Sequence, residues 1–118
     1  MGGIFIVGYM DIELIKQQEA ANDGQTIHLF YDEIAGMYMA FGLSAYYSTM
    51  SVEPVISYSD ALGMPVALLN RLQIKFLRQT MTKVEHQPQA YYRFRLRTKV
   101  GSAGYERWMK ETFGDSKR

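Results

Sequence analysis

The chain has 118 residues, with 13 Lys and Arg against 12 Asp and Glu and no cysteine, which is the length of one ordinary domain with almost no net charge. Disulfides, thiolate metal centres, iron–sulfur clusters and thiol nucleophiles are therefore excluded, and a composition that is 47% hydrophobic and 14% aromatic excludes wholesale disorder. No run approaches the roughly 18–20 apolar residues that a membrane-spanning helix needs.

Gly2–Met10 (GGIFIVGYM) is apolar but short, lacks a basic lead-in and runs into Asp11 and Glu13, so it does not read as a secretory signal. Residues 1–10 are expected to form an N-terminal extension or an added strand, because Ile4–Val7 favours extended backbone. A cytoplasmic location is the accompanying expectation. Asp11 offers an N-cap ahead of Ile12, Leu14 and Ile15, and Asn22–Gly24 offers a stop, so a short helix is expected between them. Thr26–Asp32 (TIHLFYD) and Met37–Gly42 (MYMAFG) read as strands joined through Glu33–Gly36, a hairpin whose glycine can take positive φ. Leu43–Met50 reads as a short helix.

Sliding the chain by 27 positions sets Tyr31 on Tyr58, Gly36 on Gly63, Met37 on Met64 and Ala40 on Ala67, so YDEIAGMYMAF is echoed by YSDALGMPVAL. Apolar positions stay in phase: Phe41 meets Leu68, Tyr47 meets Ile74 and Met50 meets Leu77. Residues 27–53 and 54–84 are therefore candidate ββα repeats. In the second copy the helix is expected over Arg71–Val84, with Leu72, Phe76 and Leu77 on one apolar stripe, followed by a polar connection over Glu85–Gln89. A ββα unit cannot cover its own sheet face, so two are expected to pair into one antiparallel sheet backed by helices. The expected fold is a single α+β domain over residues 1–118, completed by a C-terminal strand and helix.

That strand is Tyr91–Lys99 (YYRFRLRTK), where Tyr92, Phe94 and Leu96 point one way and Arg93, Arg95, Arg97 and Lys99 the other. Gly101–Gly104 interrupts it, and Ser102 is placed to cap a last helix carrying Tyr105, Trp108, Met109 and Phe113.

Charge is unevenly spread. Residues 1–60 carry one basic and eight acidic side chains, a net −7, whereas residues 61–118 carry twelve basic and four acidic, a net +8. Such a sequence either pairs its charges internally or presents two surfaces of opposite sign. The row Arg93, Arg95, Arg97 and Lys99, with Arg71, Lys75 and Arg78 on the preceding helix, is the candidate polyanion-binding set. A stacking platform, however, wants cations and aromatic rings on one face, and the alternation puts Tyr92 and Phe94 opposite the Arg row. A solvated basic face is the plainer reading of that strand.

Catalytic, cofactor and metal signatures do not emerge. His28 and His86 have no partner at ligand spacing; Asp32 and Glu33 sit in a turn where acids are common for backbone reasons; Ser57, Ser59 and Asp60 have no nucleophile elbow around them; and no phosphate-cradling glycine motif occurs. A hydrolase or transferase would need Asp32, Glu33, Asp60 and His28 to converge. The band Tyr38, Met39, Phe41, Tyr46, Tyr47 and Met50 joins adaptable Met to amphipathic Tyr and is the candidate protein interface. The expectation is a small binding module without enzymatic activity, working as a homodimer, with nucleic-acid binding through the basic strand as the alternative.

Overall fold

The computed structural model describes residues 12–87 and 91–114; the expected Asp11 cap and the extension over residues 1–10 lie outside them. The described elements are α1 (Ile12–Ala20), β1 (Thr26–Asp32), β2 (Met37–Phe41), α2 (Leu43–Ser48), β3 (Val55–Ser59), β4 (Met64–Leu69), α3 (Arg71–Thr80), β5 (Thr82–Gln87), β6 (Tyr91–Arg95) and α4 (Tyr105–Phe113). All strand pairings are antiparallel, in the spatial order β3-β4-β2-β1-β6-β5. The result is one α+β domain in which α1 precedes two ββα units, followed by the strands β5 and β6 and a C-terminal helix, one strand more than expected after the second unit.

The two hairpin turns share one kind of backbone bond and differ by one residue in the side-chain bond beside it. Gly36 donates its N–H to the Asp32 carbonyl at 2.8 Å and Gly63 to the Ser59 carbonyl at 2.7 Å. The side chains of the same two residues accept from the turn backbone, Asp32 Oδ1 from Ile34 N and Ser59 Oγ from Leu62 N, both at 3.1 Å. Gly36 at φ +67° and Gly63 at φ +69° occupy the left-handed region that a side chain resists.

The two units join where β2 pairs with β4, with Ala40 opposite Ala67. Gly42 N donates to Pro65 O at 3.0 Å. That sets the phase of the ladder, so Ala40–Ala67 is a pair that exchanges both backbone bonds. Because β2 and β4 run in opposite directions, the first turn and the second turn lie at opposite ends of the sheet.

Alternation then sorts the side chains into two layers. Ile27, Leu29, Ala40, Ala67, Leu69, Tyr92 and Phe94 form the main core with Ala45 and Tyr47 of α2 and Ile74 and Leu77 of α3, and Trp108 of α4 packs against it. On the other face Met39, Phe41 and Val66 pack with Ile15 of α1 and with Leu62. Each fully buried Phe or Leu here contributes about 1.5–3 kcal/mol relative to exposure.

Several boundaries differ from the expected ones, β2 ending at Phe41 short of Gly42 and α2 at Ser48 short of Met50. The helix expected over Arg71–Val84 stops at Thr80, and Thr82–Gln87 forms β5 in place of the end of that helix and of the polar connection over Glu85–Gln89. Met81 turns extended at φ −131°, ψ 161°, and the β-branched Thr82 and Val84 suit a strand, so the spacing of four from Thr80 to Val84 fits either period. At the other end of α3 a reciprocal capping box holds the start: Gln73 N donates to Asn70 Oδ1 and Asn70 N to Gln73 Oε1, each at 2.9 Å. The strand expected to reach Lys99 ends at Arg95, after which Leu96 N bonds Gln25 O and the N–H groups of Val100 and Gly101 both bond Gly24 O. The last helix begins at Tyr105, with Gly104 at its N-cap and no side-chain cap bond; Ser102 contributes its carbonyl to Tyr105 N instead.

A Cβ added at Gly36 or Gly63 meets nothing within 4 Å, so only backbone strain opposes it. Gly36→Ala and Gly63→Ala are expected to cost about 1–2 kcal/mol each, equal within error, by denaturant unfolding. Costs that differ by more than about 1 kcal/mol would show that the turns are not equivalent.

Candidate functional site

Helix α3 carries more apolar residues than one inward stripe can hold. Ile74 and Leu77 are buried, while Leu72 and Phe76, spaced four apart, face outward. Leu72 is 76% exposed and Phe76 44%. The expected common stripe of Leu72, Phe76 and Leu77 is thus split between two sides of the helix. Arg71, Lys75 and Arg78 are exposed around the outer pair.

At the C-terminal end of α3, Phe76 runs into an open groove of about 420 Å³. Its apolar wall comes from Met50, Phe76, Met81, Leu96 and Val100, with Ser51, Thr80 and Thr98 adding hydroxyls and Arg97 the single charged side chain. Met50, just beyond α2, is 46% exposed. Leu96 and Arg97 leave the sheet after Arg95, which lies opposite Thr26 at the start of β1. The groove is therefore at the end of the molecule away from the first hairpin turn.

The seven candidate polyanion residues do not form one row. Arg93 and Arg95 lie on the α1 side of the sheet, Arg93 opposite His28 and Arg95 opposite Thr26, and Arg95 is 3.8 Å from the Asp23 carboxylate, both half exposed. Arg97 and Lys99 lie beyond the end of β6 and are exposed. Arg71, Lys75 and Arg78 belong to α3 on the opposite face. Arg78 donates from Nη2 to Tyr92 Oη at 2.7 Å, and its guanidinium sits 5.3 Å from the centre of that ring. So Arg97 lines the groove and Arg71, Lys75 and Arg78 lie on α3 outside it, while Arg93 and Arg95 are on the opposite side of the sheet from α3. β6 is also not an edge, since β5 pairs along its outer side.

Of the candidate interface residues, Met39, Phe41 and Tyr47 are buried core. Tyr38 is half-buried between the rings of Tyr31 and Tyr92, and Tyr46 is packed among Tyr47, Tyr105 and Trp108. Met50 alone of the six is exposed. The outward pair Leu72 and Phe76 was not singled out as a surface by the pattern. The signal that finds it is the surplus of apolar positions on a helix of only ten residues.

A buried polar cluster ties α1 to α2 and β1. Glu19, 8% exposed, accepts from Ser44 N at 3.1 Å through Oε1 and from Ser44 Oγ at 2.6 Å through Oε2. Ser44 Oγ in turn accepts from His28 N at 3.0 Å, taking the place of a strand partner beyond the last β1–β2 pair, Phe30 and Met39. Asn22 Nδ2 donates to Thr26 O at 3.0 Å and closes the loop between α1 and β1. The geometry of this cluster is that of a structural pin. Asp32 and Glu33 stand at one end of the sheet and Asp60 at the other, so the carboxylates and His28 do not converge. Among the described residues, no group of three or more His, Asp or Glu could hold a metal ion, and no helix is long and apolar enough to cross a membrane.

Comparison with known proteins, by family model, by sequence against curated proteins and by fold against solved structures, gives no match.

Burial pushes the Glu19 carboxyl up to about 7, outweighing the hydrogen bonds from Ser44 and Asn22 that favour the anion. An acid whose folded value is raised binds its proton more tightly in the folded state. Its stabilising contribution is therefore complete below the unfolded value of 4.5 and is lost as pH rises through about 7, a change on the order of 3 kcal/mol. The denaturant midpoint is expected to fall between about pH 5 and about pH 8, and Glu19→Gln to flatten that fall. A wild-type midpoint that stays level or rises over this window contradicts the assignment.

Proposed function

We propose that the chain is a binding module without enzymatic activity, whose contact surface is the outer face of α3 with the groove at its C-terminal end. Its partner is an acidic protein segment anchored by apolar side chains. The observation that carries this reading is the contiguous strip of Leu72, Phe76 and Met50, left in water and leading into a groove of about 420 Å³. Soluble proteins seldom leave such strips uncovered without a use for them, and the volume falls in the range of about 300–1,000 Å³ usual for ligand sites. Arg71, Lys75 and Arg97 flank the strip; cations in that position speed the approach of an acidic partner and reject a basic one.

The 27-residue offset between the sequence copies also maps Ala40 onto Ala67, the residues that face each other where the units join. That correspondence supports reading residues 27–53 and 54–84 as a duplicated ββα unit, of which only the second carries the contact helix in full length.

A polyanion such as single-stranded nucleic acid is the second reading, favoured by Arg78 lying over the Tyr92 ring on the main-core face. Fluorescence polarisation separates the two. A labelled amphipathic peptide of Glu and Leu is expected to bind, to weaken with added salt, and to lose at least about tenfold in affinity against Phe76→Ser. Absence of peptide binding at low salt, or equal binding by Phe76→Ser, contradicts the first reading. Oligo-dT binding that falls steeply with salt and depends on Arg71 but not Phe76 would favour the second.

A further inference from the structure

We infer that the segment received by the groove is the first hairpin turn of a second copy of this chain, an inference that rests on the groove being a contact site. The turn has the matching chemistry. Ile34 projects from it 60% exposed, and Glu33 beside it is exposed as well, so the tip is an apolar knob with an acidic neighbour. The tip is also held in shape, by Ile34 N on Asp32 Oδ1 and Gly36 N on Asp32 O. A preformed knob loses little conformational freedom on docking.

The second hairpin turn offers no such tip. Its large apolar residue, Leu62, is buried against α1, although the Gly63 N–H closes that turn on the Ser59 carbonyl as the Gly36 N–H closes the first on the Asp32 carbonyl. Selection of the first turn therefore follows from which tip is left uncovered. Charge agrees with it: Glu33 is exposed beside the knob, and Arg97 is the charged side chain lining the groove. Two copies can thus attract end to end while their near-zero total charge adds no long-range repulsion.

Knob and groove lie at opposite ends of the sheet, so a chain cannot fill its own groove. Two copies related by a two-fold axis, lying head to tail, would make two identical contacts and close as a dimer; a rotation that does not close would extend into a chain of copies. In either arrangement Ile34 enters beside Phe76 and Met50, and Glu33 comes near Arg97 or Lys75.

Light scattering after size exclusion, over a wide concentration range and at low and high salt, tests this. The wild type is expected to associate at low salt and to dissociate as salt rises. Ile34→Ser and Phe76→Ser, each checked for wild-type circular dichroism, are expected to be monomeric alone. Their equimolar mixture is expected to associate, because each variant keeps the half the other has lost. Glu33→Lys, on an exposed turn, is expected to weaken association without touching the groove. A wild type that stays monomeric, an Ile34→Ser variant that still associates, or a mixture that remains monomeric overturns the inference. If the wild type is monomeric yet the acidic peptide binds, the second copy alone is excluded; if neither associates, the contact-site reading falls with it.

Discussion

The pairing of Ala40 with Ala67 is the constraint on which the rest of the molecule depends. These residues face each other at the join between the two hairpins, fully buried, and share a core with Ala45 and Tyr47 of α2 and with Ile74 and Leu77 of α3. A methyl group at each position leaves room for both helices to cover the ladder. A larger side chain at either would force off-rotamer packing at a typical cost of about 1–3 kcal/mol. Because the ladder is antiparallel, the same pairing sends the two turns to opposite ends of the sheet. It also sets α3 on the main-core face with its surplus of apolar residues turned outward.

The buried polar pin and the exposed apolar strip are kept apart in this arrangement. The polar pin of Glu19, Ser44 and the His28 backbone sits at the start of α2, beneath Gly42, where an added Cβ would meet Met64 and Glu19. Its hydrogen bonds are used inside the fold. The strip of Leu72, Phe76 and Met50 makes no comparable demand on the core, since Ile74 and Leu77 already anchor α3. A surface of that kind can be altered with small effect on folding, which is what a site for a partner requires.

Much of the fold could be read before any coordinates, for physical reasons visible in single residues. The glycines at 36 and 63 punctuate hairpins because a turn of positive φ needs them, and the alternation from Tyr92 to Leu96 identifies a strand with one buried face. Legibility failed where one pattern served two structures. Thr80 to Val84 matches a helical spacing, but Thr82 and Val84 also alternate, and pairing with β6 decided for a strand. The site was less legible still. Strand alternation showed that half of the Tyr and Met band must be covered, but not which half; Met39 and Phe41 turned to α1, and Tyr47, carried on α2, packs into the main core. The seven cations looked like one set because sequence distance carries no information about which side of a sheet a following strand will show. Leu72 and Phe76 were hidden by the assumption that every apolar residue of a helix points inward.

Amide hydrogen exchange followed residue by residue tests the central pairing most directly. If β2 and β4 form the joint of the molecule, the Ala40 and Ala67 amides should be among the slowest to exchange, and should open only with global unfolding. Exchange at these two positions as fast as at the hairpin ends, or one hairpin opening while the other stays protected, would contradict the account.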